Sequence, residues 1–236
     1  MFAPLFADQL RERGKDRIAD NSLSAPLTPG DRARAYRPLV SGARIMNAIT
    51  GSPGTLGCIG LDDEDNPWIV SCYHVLGRSR RFVRIVGNDE PILQATPDVG
   101  GGVVARTRIS KMNSSLDYGA AIVVPEIDVS AAVLELDNLQ RIADAEVGMR
   151  VVKSGAATGV TIGVVAEVTP MLITIEKPAE SPADYVLSDL GDSGAVWLDA
   201  QTGNAVGLHF TRQDHAIAYA RPLRNVLGDL GLRLLE

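Results

Sequence analysis

The chain has 236 residues, of which 45% are apolar and 22% charged, with a net charge of −6. That composition supports a packed core and excludes a generally disordered chain. The acidic balance argues against a whole-surface attraction to nucleic acid or to an acidic membrane.

The first residues, Met1 to Asp8, lack the basic start and unbroken apolar stretch of a signal peptide. No apolar run reaches the roughly 20 residues that a membrane-spanning helix needs. A cytoplasmic location is expected, with neither nucleic acid nor membrane as partner. Residues 1 to about 22 have helical spacing, from Leu5 and Phe6 through Leu10 to Ile18. Pro26, Pro29 and Gly30 mark residues 23–34 as a linker. Residues 1–34 thus form an N-terminal extension, read as a structural strap, a self-cleaved piece or a docking element for a regulatory partner, the strap being preferred.

From Tyr36 onward short β-rich runs alternate with Gly, Pro, Asp and Asn clusters. Strands are predicted at 44–46, 55–59, 68–70, 82–86, 102–104 and 120–124. Asp62 to Asn66 is expected to form a hairpin tip. Further strands are predicted at 150–152, 161–165, 172–175, 195–198 and 205–208. A helix is expected within Ala131–Ala145, and a second from Leu223 to Leu235. This spacing of strands predicts an all-β barrel or sandwich. Cys58 and Cys72 allow at most one disulfide, and two buried thiols in a reducing compartment is the simpler reading.

Gly191-Asp192-Ser193-Gly194 carries the sharpest chemical signal. A nucleophilic serine needs a tightly turned backbone with N–H groups aimed at the attacked carbonyl. The same residues also make an ordinary β-turn. The serine needs a base, and the chain has three histidines, His74, His209 and His215. His74 follows an apolar strand, where it can line a cleft. Asp117 opens the apolar run Ala120–Val124, and a histidine ring N–H would partner its carboxylate. The order His, Asp, Ser is that of the chymotrypsin type of triad. The α/β-hydrolase order would crowd acid and base behind Ser193, and Ala195 breaks the Gly-x-Ser-x-Gly motif. His209 with His215, or Cys58 with Cys72 and His74, are conceivable metal groups. Neither has further ligands at a recognisable spacing, so no metal is expected.

These three features together resemble the chymotrypsin-like (trypsin-like) serine peptidases, and the resemblance covers about residues 38–236. Gly54-Thr55-Leu56-Gly57 and Ser71-Cys72-Tyr73-His74-Val75 resemble the Gly-Thr-Leu-Gly and Leu-Ser-Asn-x-His-Val of the bacterial, non-secreted branch. Ile92-Leu93-Gln94 with 97–101 resembles the next loop of that branch. Lys153-Ser154-Gly155-Ala156-Ala157-Thr158-Gly159 resembles Lys-Ser-Gly-Arg-Thr-Thr-Gly, and Ala205–Phe210 the strand bordering the substrate cleft. Ala156 and Ala157 replace Arg and Thr, and Cys72 and Tyr73 replace residues before the histidine.

The resemblance implies two six-stranded antiparallel β-barrels with an N-terminal helical extension and a C-terminal helix. Residues 35–130 would form the first barrel, and 131–236 a linker, the second barrel and the C-terminal helix. It implies a serine endopeptidase acting on protein or peptide through an acyl-enzyme, with no cofactor. His74, Asp117 and Ser193 would be the triad, with the N–H groups of Gly191 and Ser193 as oxyanion hole. There is no activation junction whose freed N-terminus could pair with Asp192. Lys153 stands where a basic residue of the second barrel takes that part, and a Lys153–Asp192 ion pair is expected. Leu187, six residues before the serine, would floor a substrate pocket walled by His209, Phe210 and Thr211, and would favour a small or apolar side chain. Three alternatives stand: a latent binding module, an esterase with the same triad, and a self-cleaving assembly protein.

Overall fold

The computed structural model describes residues 27, 28, 30–77, 87–94 and 102–236. The helix expected over 1–22 and the strand expected over 82–86 lie outside the described residues. Nearly all regular structure is β, because the chain breaks its β-branched and aromatic runs every few residues with turn formers.

The N-terminal half holds β1 (Leu39–Ser41), β2 (Arg44–Asn47), β3 (Pro53–Thr55), β4 (Cys58–Leu61), β5 (Pro67–Ser71), β6 (Pro91–Gln94), β7 (Gly102–Asn113), β8 (Tyr118–Val123) and β9 (Val129–Val133). A short helix, α1 (Tyr73–Leu76), follows β5. The C-terminal half holds β10 (Arg150–Gly155), β11 (Gly159–Val168), β12 (Ile173–Glu176), β13 (Val196–Asp199), β14 (Ala205–Arg212) and β15 (Ile217–Pro222). Helix α2 (Leu223–Leu230) and the short strand β16 (Arg233–Leu234) complete the chain.

Strands β10-β11-β12-β15-β14-β13 close into a six-stranded antiparallel barrel. The other large sheet runs β16-β4-β5-β8-β7-β6-β2-β3. Its β3 and β4 are two halves of one bent strand. Between them Leu56 still donates to Ala43 O and Gly57 donates to Val70 O, so one strand serves β2 first and β5 next. Counted that way, six strands wrap a core of Leu39, Ile45, Leu56, Ile59, Ile69 and their neighbours. β16 crosses back from the chain's C-terminal end to extend β4. A further apolar cluster, including Val70, Val152, Val196, Leu208 and Leu227, joins elements of both halves. Among the described residues no helix is long and apolar enough to cross a membrane.

Three expectations need correction. The segment expected to be helical within Ala131–Ala145 begins as a strand. β9 pairs in parallel with β1, and Glu135 takes a left-handed φ of 59°, which a continuing helix cannot contain. The C-terminal helix stops at Leu230, because Gly231 turns left-handed (φ 60°) and Leu232 N–H closes on Leu227 O. Ile92-Leu93-Gln94, expected in a loop, is strand β6, paired with β2 and β7.

Candidate active site

The site lies where the two barrels meet. In the apolar strand β5, Trp68 to Ser71 are buried; the strand ends at Ser71, Cys72 caps α1, and α1 carries His74. Asp117 sits in the turn between β7 and β8 with a left-handed φ of 61°. Asp is one of the few residues with a β-carbon that adopts this conformation readily, and such positions gather at functional sites. The turn aims both carboxylate oxygens at one residue. Oδ1 accepts the His74 backbone N–H at 3.0 Å, and Oδ2 lies 2.7 Å from His74 Nδ1. With Nδ1–H donated to Asp117, the imidazole lone pair is on Nε2, the tautomer of a base. The two side chains remain 20% and 28% exposed, so the pair is in contact with solvent.

The loop Ser188–Gly194 brings Ser193 beside α1: a β-carbon on Gly54 would meet both Ser193 O and the side chain of Val75, the residue after His74. Thr55, at the bend of the β3–β4 strand, holds the loop twice: its N–H donates to Ser193 O at 2.8 Å and its hydroxyl to Gly191 O at 2.8 Å. Gly57 lies so close to Gly194 O that a β-carbon there would collide with it, which explains a glycine in this strand. The N–H groups of Asp192, Gly194 and Ala195 go to Asp189 O, His209 O and Asp192 O. Those of Gly191 and Ser193 donate to no protein acceptor among the described residues. Two neighbouring free donors beside a serine are what an oxyanion site requires. Among the described residues no hydrogen bond joins the Ser193 hydroxyl to His74; such bonds are often long without substrate.

Behind the serine, Asp192 is fully buried and ionically paired. Lys153 Nζ lies 2.9 Å from Oδ2, and both side chains have zero exposure. Thr158 Oγ1 and the Asp189 N–H also bind Oδ2, while the N–H groups of Ala157 and Thr158 bind Oδ1. Burial would raise the carboxyl's pKa, but the Lys153 charge and these hydrogen bonds outweigh it and hold Asp192 well below the carboxylate range. Ala157 contributes through its backbone, so the loss of the Thr side chain there leaves this contact intact. Lys153 Nζ also lies 5.5 Å from the Trp197 ring centroid.

The expected pocket residues fall in different places. Leu187 is fully buried and packs in the second barrel's core with Val151, Ile175 and Trp197. It presents no surface to a substrate, so the apolar floor expected from it is corrected. His209 is also buried, with Nε2 2.7 Å from Ser188 Oγ and Nδ1 without a hydrogen-bond partner among the described residues. Burial, with the nearby charges of Lys153, His74 and Arg212, pushes its pKa down to about 3, so it is neutral near pH 7. Phe210 is half-buried beneath the Arg221 guanidinium, and Thr211 is exposed. Sequence reasoning missed Thr55, Thr158, Ser188 and Arg212. Arg212 pairs with Asp189 at 2.8 Å. Only Thr55 and Thr158 stood inside recognisable motifs.

Cys58 and Cys72 are both buried free thiols. Cys72 Sγ, His74 and Asp117 have donor atoms within 4.8 Å of one another, whereas Cys58 lies outside this group. Burial pushes the Cys72 thiol well up, and it donates to His209 O at 3.2 Å, while His74 Nδ1 is already engaged by Asp117.

No family model and no curated protein matches the chain. Solved structures do. A glutamic acid specific serine protease that uses a histidine triad in substrate binding has a TM-score of 0.62 at 18% identity, covering 84% of this chain and 100% of its own. A Nocardiopsis protease (NAPase) has 0.59 at 14% identity, covering 84% and 98%. Thermobifida fusca protease A has 0.58 at 15% identity, covering 83% and 97%. At these identities the likeness establishes architecture: the chain has the two-barrel fold of the chymotrypsin-like serine proteases.

Proposed function

We propose that this chain is a serine endopeptidase. What supports the reading is the His74–Asp117 hydrogen bond at the end of β5 and, held by Thr55 of the neighbouring bent strand, a serine loop whose Gly191 and Ser193 N–H groups have no protein acceptor among the described residues. Ser193 Oγ attacks the peptide carbonyl while His74 Nε2 takes its proton. Asp117 holds the ring and stabilises the imidazolium. The Gly191 and Ser193 N–H groups bind the oxyanion, each donor supporting about 10²–10³ in rate. His74 then protonates the leaving amine, and water cleaves the acyl-enzyme by the reverse sequence. Lys153 and Asp192 keep the loop in shape. Residues 35–130 supply acid and base, and residues 131–236 the nucleophile.

Two further observations support the finer reading. Beyond His209, whose N–H and C=O are taken by Ala195 O and Gly194 N–H, β14 pairs among the described residues only with β15, so Phe210–Arg212 offers an edge to an extended peptide. That favours a peptide over a small ester. The cation beside that edge is Arg212, partly exposed and paired with Asp189, whereas Ser188 and His209 are buried. This chemistry suits an acidic substrate side chain, the preference named for the glutamic acid specific protease above. The two free thiols fit a reducing compartment. The test is digestion of a peptide mixture read by mass spectrometry, with Ser193→Ala as control. Cleavage after acidic residues that vanishes in the variant is expected. Cleavage without that preference would remove the specificity, and products unchanged in the variant would remove the reading.

A further inference from the structure

Arg32 lies in a segment whose sequence reads as linker, yet it is fully buried. It leaves a 3₁₀ turn, Asp31–Ala33, and its guanidinium joins three separate parts of the molecule. Nη1 donates to Ser154 Oγ at 2.6 Å and, at 3.4 Å, to Gly42 O. Nη2 pairs with Glu135, whose other carboxylate oxygen accepts the Leu27 N–H at 3.1 Å. Gly42 belongs to the first barrel, Glu135 to the crossing between barrels, and Ser154 to β10 of the second. A guanidinium, with donors in a rigid fork, can serve these directions at once; an ammonium on a flexible stem cannot hold the same geometry.

Ser154 stands between two residues that shape the serine loop. Lys153 before it pairs with Asp192. Gly155 after it packs so tightly on the Asp192 carboxylate that a β-carbon would collide with it. Next, Ala156 N–H donates to Thr55 Oγ1, which itself donates to Gly191 O. Ala157 and Thr158 donate to Asp192 Oδ1. The end of β10 and its turn are therefore the cradle of the oxyanion loop, and Arg32 fixes that cradle from behind.

We propose that Arg32 is a positioning residue for the reaction: through Ser154 it holds the β10 turn that sets Asp192 and the Gly191 and Ser193 N–H groups. This rests on the serine-hydrolase reading of Ser193. Arg32 touches no reacting atom, so its loss acts on turnover and not on the contacts that bind substrate. A misplacement near 1 Å at a reacting group costs about 10² in rate.

The experiment measures fluorophosphonate labelling rate at Ser193, with kcat and KM on a cleaved peptide, in the full chain. Arg32→Ala can unfold the protein by stripping Glu135 of its guanidinium, so two milder variants accompany it. Arg32→Ala with Glu135→Gln removes both charges, and Ser154→Ala cuts only the link to β10. Both are expected to fold and to lose about 10- to 10²-fold in kcat and in labelling rate, with KM within about two-fold; Arg32→Lys should recover part of the loss. Folded variants that label and turn over like the wild type overturn the proposal, as does a loss confined to KM. A folded wild type that never labels removes the serine-hydrolase reading itself, and the positioning role with it.

Discussion

Two hydrogen-bonded side-chain pairs stand on either side of the Ser193 loop, and they differ in burial and in charge. His74–Asp117, on the first barrel, is partly exposed, sits on a short helix and a turn, and has one ring nitrogen to spare. Lys153–Asp192, on the second, has zero exposure, and each carboxylate oxygen is saturated with donors. A pair that must pass protons has to meet the substrate and keep an open lone pair. A pair that must hold a backbone in shape works best where nothing can exchange with it. On the proposed serine-hydrolase reading, chemistry belongs to one half of the molecule and rigidity to the other.

Crossing the two pairs gives the largest effects. Asp117→Asn keeps an acceptor for the His74 N–H but favours the wrong ring tautomer. It should lower kcat by about 10⁴ and change stability by no more than about 1 kcal/mol. Lys153→Met leaves a buried carboxylate unpaired. It should cost about 3–5 kcal/mol in denaturant unfolding, with activity falling as the loop loosens. Reversal of the pattern, with Asp117→Asn unfolding the chain and Lys153→Met neutral, would break the division of labour.

A smaller effect concerns His209, buried next to the second pair. Its pKa, about 3 in the fold, is below the usual 6.5 because burial and nearby cations disfavour its charge. Above pH 6.5 folded and unfolded chains both hold it neutral. As pH falls from 6.5 towards 3, the unfolded chain takes up the proton and the folded one does not, so stability is lost through that window. Urea unfolding at pH 7 and 4.5 should show a loss that His209→Gln reduces by about 2–3 kcal/mol. Equal losses in the two proteins would mean that His209 is not held neutral.

The sequence made the strand-rich character legible, because runs such as Trp68-Ile69-Val70 and Ala120–Val123 form buried strands. It hid β9, whose Ala131 and Ala132, running on into Leu134 and Leu136, favour a helix until pairing with β1 overrides that preference. It also hid β15, Ile217-Ala-Tyr-Ala-Arg-Pro, where small residues alternate without a β-branched run. His74, Asp117 and Ser193 stood out because each sits in a local motif. Leu187 misled because position alone does not say whether a side chain faces a pocket or a core. Arg32 gave no signal, since its partners Ser154 and Glu135 stand 122 and 103 residues away.

The most direct measurement is covalent labelling of the folded chain by a fluorophosphonate probe, with the modified residue located by mass spectrometry. A single adduct on Ser193, lost in both Ser193→Ala and His74→Ala, is the result predicted. A folded wild type that takes no label, or takes it equally in the His74 variant, would contradict a serine activated by His74.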